Sequence, residues 1–175
     1  MRRQPSNRGF SLVEVVIALA VVGLTFIGLI GLLGVGVVSD QTSTQQTEAT
    51  NIAASILADL RSTPNSSASG NSVRFNIPLQ TATDRSTSTT PLAISGLTAS
   101  YFYFDVSPAA LNTTPLTSIP ATAPAGAAFL TTVYVVKVAN LPVPTYMVRC
   151  LVTWPAQTTT TPAGNVDIIT EFVSH

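Results

Sequence analysis

The chain has 175 residues, 46% of them apolar and only 9% charged, with 8 basic and 8 acidic side chains and no formal net charge. A nucleic-acid binder relying on phosphate contacts needs a basic surface, which this composition does not provide, so no nucleic-acid partner is evident. A single cysteine, Cys150, and a single histidine, His175, exclude an intrachain disulfide, argue against a Cys/His metal site and leave no material for a histidine-based triad, so neither a cofactor nor an enzymatic role is expected.

The first nine residues hold Arg2, Arg3 and Arg8 and no acidic group. Val15 to Val38 is a run of 24 residues with no charge, Asn, Gln or Pro, in which Thr25 is the one strongly polar interruption. As a helix at 1.5 Å per residue it is about 36 Å long, enough to cross a hydrocarbon core of roughly 30 Å. The basic flank predicts a cytoplasmic N-terminus with the rest of the chain across the membrane. No proline occurs between Phe10 and Arg61, so the helix is expected to continue past the apolar run. In this second half Ala49, Ile52, Ala53, Ile56, Leu57 and Leu60 recur at spacings of three and four, the stripe of a helix that covers a core. Gln41, Gln45, Gln46, Glu48, Asn51 and Asp59 fall to the exposed side. Arg61 suits the negative end of the helix dipole, and Ser62-Thr63-Pro64 ends the element.

Beyond Pro64 the composition turns to Ser, Thr, Pro and short β-prone runs. Val73, Phe75 and Ile77 alternate with polar residues and predict a half-buried strand. Strands are also predicted over 101–106, 129–139, 147–154 and 166–173. In the fourth, Val148, Cys150, Val152 and Trp154 share a face; in the fifth, Val166, Ile168, Thr170 and Phe172 do, with Asp167, Ile169, Glu171 and Val173 opposite. Short turn-rich connections make the last three an antiparallel meander, extended by one or two of the earlier runs. The stretches 62–72, 80–100 and 107–128 read as loops. The fold class is α+β: a long N-terminal helix, membrane-spanning and then amphipathic, packed on a C-terminal antiparallel sheet.

Glu14 stands at the threshold of the apolar run, where a carboxylate is costly, about 2.5–3.5 kcal/mol at a helix centre and less near an end. An interfacial, functionless carboxylate is the plain reading of that residue taken alone. The block Arg8-Gly9-Phe10-Ser11-Leu12-Val13-Glu14-Val15, read together, resembles the class III leader of type IV prepilins and pseudopilins. There a basic leader ends in Gly, a Phe or Met follows, a Glu stands five residues into the mature chain, and about twenty apolar residues come next. The resemblance implies that a prepilin peptidase cuts between Gly9 and Phe10 and methylates the new amine of Phe10. It implies that Glu14 serves assembly with other pilin or pseudopilin subunits through the N-terminal helix, and that the chain starts in the inner membrane with its C-terminal domain periplasmic or in an extracellular filament. The corresponding division is a leader at 1–9, a transmembrane half-helix at 10–38, an amphipathic half-helix at 39–62 and a sheet domain at 63–175.

Phe10 to Ala20 looks closer to V-type minor pilins and I-type minor pseudopilins than to major subunits. Residues 51–64, Val152-Thr153-Trp154-Pro155-Ala156 and the closing strand look like the pilin-like group named Verru_Chthon cassette protein B. Three departures from many pilins stand out. Cys150 has no partner for a C-terminal disulfide loop. Asp167 and Glu171 stand alone on a strand, so no calcium site is expected. The apolar helix has no Pro, and Gly23, Gly28, Gly31, Gly34 and Gly36 are its candidate weak points, each worth roughly 1 kcal/mol relative to Ala.

Two readings of other classes compete. An ordinary exported protein would be cut after Val37-Val38-Ser39, but the apolar run exceeds the usual 7–15 residues of an export signal and gives Glu14 no purpose. A membrane-anchored enzyme or binding protein needs clustered ionisable groups, whereas Asp105 is the sole charge between 86 and 136.

Overall fold

The computed structural model of the chain describes residues 11–63, 70–79, 83–85, 97–138, 141–156 and 161–173. It divides into two compact units, Met1–Ser43 and Thr44–His175. One helix, α1 (Leu12–Ser62), runs through both. Several of its Ser and Thr residues turn their hydroxyls back onto the preceding turn, as between Thr25 Oγ1 and the Val22 carbonyl at 2.7 Å and between Thr50 Oγ1 and the Gln46 carbonyl at 2.8 Å. The polar interruption of the apolar run is thus satisfied within its own helix.

In the second unit the predicted stripe is the buried one: Ala49, Ile52, Ala53, Ile56, Leu57 and Leu60 are all in the core. They meet one face of a sheet made of β1 (Thr83–Arg85), β2 (Ala99–Phe104), β3 (Phe129–Val138), β4 (Thr145–Trp154) and β5 (Gly164–Val173). The order is β1-β3-β4-β5, with β2 also paired to β3. Four strands are antiparallel to their neighbours; β1 is parallel to β3 and pairs with Val136, Lys137 and Val138. Because β4 occupies one edge of β3 from Leu130 to Val138, β2 and β1 share the other, end to end. The meander β3-β4-β5 follows the expected alternation: Tyr146, Val148, Cys150, Val152 and Trp154 point into the core, as does Phe172. β3 is covered on both faces: its first eight residues are all buried, Thr131 and Thr132 among them. Tyr103 and Leu130 on the far face are packed by Leu116, Ala123 and Ala127 from the segment that follows β2.

Three local expectations are corrected. Residues 73–77 are a tight turn, not a strand. Gly70 and Asn76 adopt positive φ, the Leu79 N–H donates to the Gly70 carbonyl at 2.9 Å, and Val73 is exposed while Phe75, Ile77 and Leu79 are buried. Asp59 is not on the exposed side: it is only 8% exposed, and its two carboxylate oxygens accept the backbone N–H groups of Arg74 (2.9 Å) and Phe75 (3.1 Å). The helix therefore ties down the turn that delivers Phe75 to the core. Finally, β1 and the start of β2 lie in the stretch read as loop, since three residues of parallel pairing leave no periodic signal.

Two outcomes test this packing. A Cβ at Gly164 would overlap the indole of Trp154, its cross-strand partner. Gly164→Ala is therefore expected to lower stability by about 1–3 kcal/mol, read as a drop in the thermal midpoint; an unchanged midpoint contradicts the arrangement. The second concerns Asp105, whose carboxylate accepts the Ala109 N–H (3.0 Å), the Ser107 hydroxyl (2.9 Å) and the Ser107 N–H (2.8 Å). These donors, Ala109 first, hold its acid constant below the ordinary carboxylate range. A depressed carboxylate stabilises the turn above its unfolded value and loses that contribution as pH falls through the folded one. An NMR titration of the Ser107 and Ala109 amides should give a midpoint below about 3.9, and a midpoint at or above it removes the latch.

Candidate functional site

The site is built at the start of α1. The Ser11 carbonyl accepts the N–H groups of Glu14 (2.9 Å) and Val15 (3.2 Å), closing the first turn. Ser11-Leu12-Val13-Glu14 also has the spacing of a capping box, a helix-start signal that a reading of the apolar run alone passes over. Glu14 lies in that first turn, where the positive end of the helix dipole favours a carboxylate. Its side chain is exposed. Gly9 and Phe10, the expected cleavage pair, lie outside the described residues, as does His175.

Behind Glu14 every large apolar residue from Leu12 to Val38 is open, from 47% at Val22 to 80% at Leu12. Exposure in all directions excludes the one-sided stripe of a surface helix. Such a surface is stable only in lipid or among other apolar helices. By length and composition this is the one described helix able to cross a membrane, and it makes the N-terminal part of the chain a membrane anchor. A Cβ at Gly23, Gly28, Gly31, Gly34 or Gly36 would meet nothing within 4 Å, so no contact within the chain calls for glycine there.

The remaining candidates carry no chemistry of their own. Cys150 is fully buried between Val148 and Val152, and burial, with a smaller contribution from the charge of Asp167, pushes its thiol up to about 12. Trp154 is a core residue, edge-to-face with Phe129 at 6.2 Å between ring centres. Asp167 does not stand alone: Arg149 Nε and Nη2 grip its carboxylate at 3.0 and 2.6 Å. Among the described residues no three His, Cys, Asp or Glu side chains converge as a metal set would.

Residues 4–30 match the family described as the prokaryotic N-terminal methylation motif. The match spans Gly9, Phe10 and Glu14 together with the apolar run as far as Ile30, and stops well before the sheet. No curated protein and no solved structure matches the chain.

The Cys150 environment has a direct check. A thiol held near 12 is almost wholly protonated at pH 8, so iodoacetamide should leave it unmodified in the folded protein and label it after denaturation. Labelling of the folded protein at the denatured rate contradicts the burial.

Proposed function

We propose that this chain, a type IV pilin-like precursor by the motif it carries at residues 4–30, is a minor pilin-like or pseudopilin-like structural subunit of a type IV pilus or a type II secretion-like filament. Its role is structural rather than enzymatic. Prepilin peptidase removes residues 1–9 by cutting between Gly9 and Phe10 at the cytoplasmic face of the inner membrane, and the amine of Phe10 is methylated. The precursor crosses the inner membrane once, N-terminus inside, with the sheet domain in the periplasm until the subunit joins the filament. The observation that carries this reading is the methylation motif leading through Glu14 into an apolar helix exposed on every side.

The chemistry of assembly follows from two charges. Cleavage creates an ammonium on Phe10, with an ordinary acid constant near 7.7–8.0. Neither it nor the Glu14 carboxylate enters an apolar bundle unpaired, because an unpaired buried charge costs several kcal/mol. Within one straight helix the two groups lie about 6 Å apart along the axis and are poorly aimed at each other. The amine of a neighbouring subunit, brought against Glu14, neutralises both and fixes the axial register between chains, an attraction that a wrongly stepped subunit lacks.

Mass spectrometry of protein extracted from membranes is expected to find N-methyl-Phe10 as the first residue, and Gly9→Leu to leave the precursor uncut. Glu14→Ala is expected to insert and be processed normally yet stay out of filaments. A mature chain beginning at Asp40 establishes ordinary export instead, and normal assembly of Glu14→Ala removes the carboxylate from the mechanism.

A further inference from the structure

Two parts of α1 are held by their surroundings and one is not. From Ala49 to Leu60 the stripe is buried against the sheet. From Val15 to Val38 the helix is apolar all round, and in lipid, where no water can take a freed N–H or carbonyl, it keeps its own hydrogen bonds. Between these parts, residues 39–47 are all exposed. Their sequence, Ser39-Asp40-Gln41-Thr42-Ser43-Thr44-Gln45-Gln46-Thr47, has Ser, Thr or Asp at six of nine positions and neither Ala nor Leu. Those three types rank low as helix formers, because their short polar side chains offer the backbone competing hydrogen bonds. The Thr42 and Ser43 hydroxyls do bond back, to the Val38 carbonyl at 3.0 Å and the Ser39 carbonyl at 2.9 Å, an arrangement that weakens and bends a helix. No Lys or Arg occurs between Gly9 and Leu60, so neither Asp40 nor Glu48 has a cation three or four positions away to support its turn.

We propose that residues 39–47 are a yielding segment of the long helix, which opens locally while the apolar run and the buried stripe stay helical. Most helical stability in proteins comes from packing, and a stretch without cover rests on intrinsic propensity alone. Here that propensity is poor. The open state is also well tolerated at this place, since the freed backbone groups meet water. Gly23, Gly28, Gly31, Gly34 and Gly36 lower helix propensity too, yet they lie where lipid withholds that alternative. The first opening therefore falls just past Val38 and not at the glycines. Drawing nine residues out from roughly 1.5 to 3.3 Å per residue adds about 16 Å at most. A pull along the chain is taken up in this stretch before Ile52, Ile56 and Leu60 leave the core. The inference does not depend on the leader or on Glu14.

The test is hydrogen exchange by mass spectrometry on the full-length chain in neutral detergent micelles. Protection of the amides of residues 42–47 is expected to be about tenfold or more below that of residues 52–60 and of the apolar run. Ser39→Ala, Thr42→Ala and Thr44→Ala combined, all at exposed positions, should raise protection over 42–47 by about tenfold and leave 52–60 unchanged. Gly28→Ala with Gly34→Ala makes the same kind of gain inside the apolar run and should leave 42–47 unchanged. Equal protection of the three regions, lowest protection in the apolar run, no response to the triple substitution, or an equal response to the glycine pair overturns the proposal.

Discussion

Glu14 sits one residue before 24 consecutive residues without charge, Asn, Gln or Pro, and nothing within the described chain covers those residues. An apolar helix of this kind needs an apolar surround, and a carboxylate at its threshold needs a cation once the surround closes in. Lipid supplies the first condition for the precursor. In the proposed filament, like helices supply it for the assembled subunit, and then only a second charge of opposite sign makes the start of the helix tolerable there. Under the proposed processing, removal of the leader is what creates that charge: three arginines depart and an ammonium appears four residues before Glu14. Thr25 adds no further demand, since its hydroxyl is already bonded to the Val22 carbonyl.

The second unit solves a different problem with the remainder of the same helix. Its stripe from Ala49 to Leu60 covers the inner face of the sheet, and Phe75, Ile77 and Leu79 complete the layer from below the helix end. Asp59 connects the two contributions, since a buried carboxylate requires donors and the turn at 74–75 presents two backbone N–H groups to it. Arg61, in the last turn of the helix, reaches the Thr170 hydroxyl on β5 at 3.1 Å. With only 9% charged residues in the chain, these few polar contacts orient a domain otherwise held by apolar burial.

Periodicity made much of this legible beforehand. Spacings of three and four identified every apolar member of the helix stripe, and the alternation Val148, Cys150, Val152, Trp154 identified the inner side of β4. What escaped depended on contacts between distant segments or on conformations that share a pattern with strands. Asp59 has a polar residue's place on the helix wheel, and only the arrival of residues 74–75 explains its burial. Val73, Phe75 and Ile77 alternate as a strand does, yet left-handed Asn76 and Gly70 fold them into a turn. At the N-terminus the cost of a carboxylate beside an apolar run singled out Glu14, whereas the significance of Gly9 and Phe10 came from family resemblance rather than physics.

The pairing of Glu14 with the amine of another chain is the central claim, and solid-state NMR on assembled filaments tests it most directly. Filaments are grown from a mixture in which some subunits carry 15N only at the Phe10 amine and the others carry 13C only at the Glu14 carboxyl. The account predicts a dipolar contact corresponding to a nitrogen–oxygen separation within about 4 Å, which in such a mixture arises only between different chains. A contact seen only when both labels are placed in the same subunit, or none at all, contradicts it.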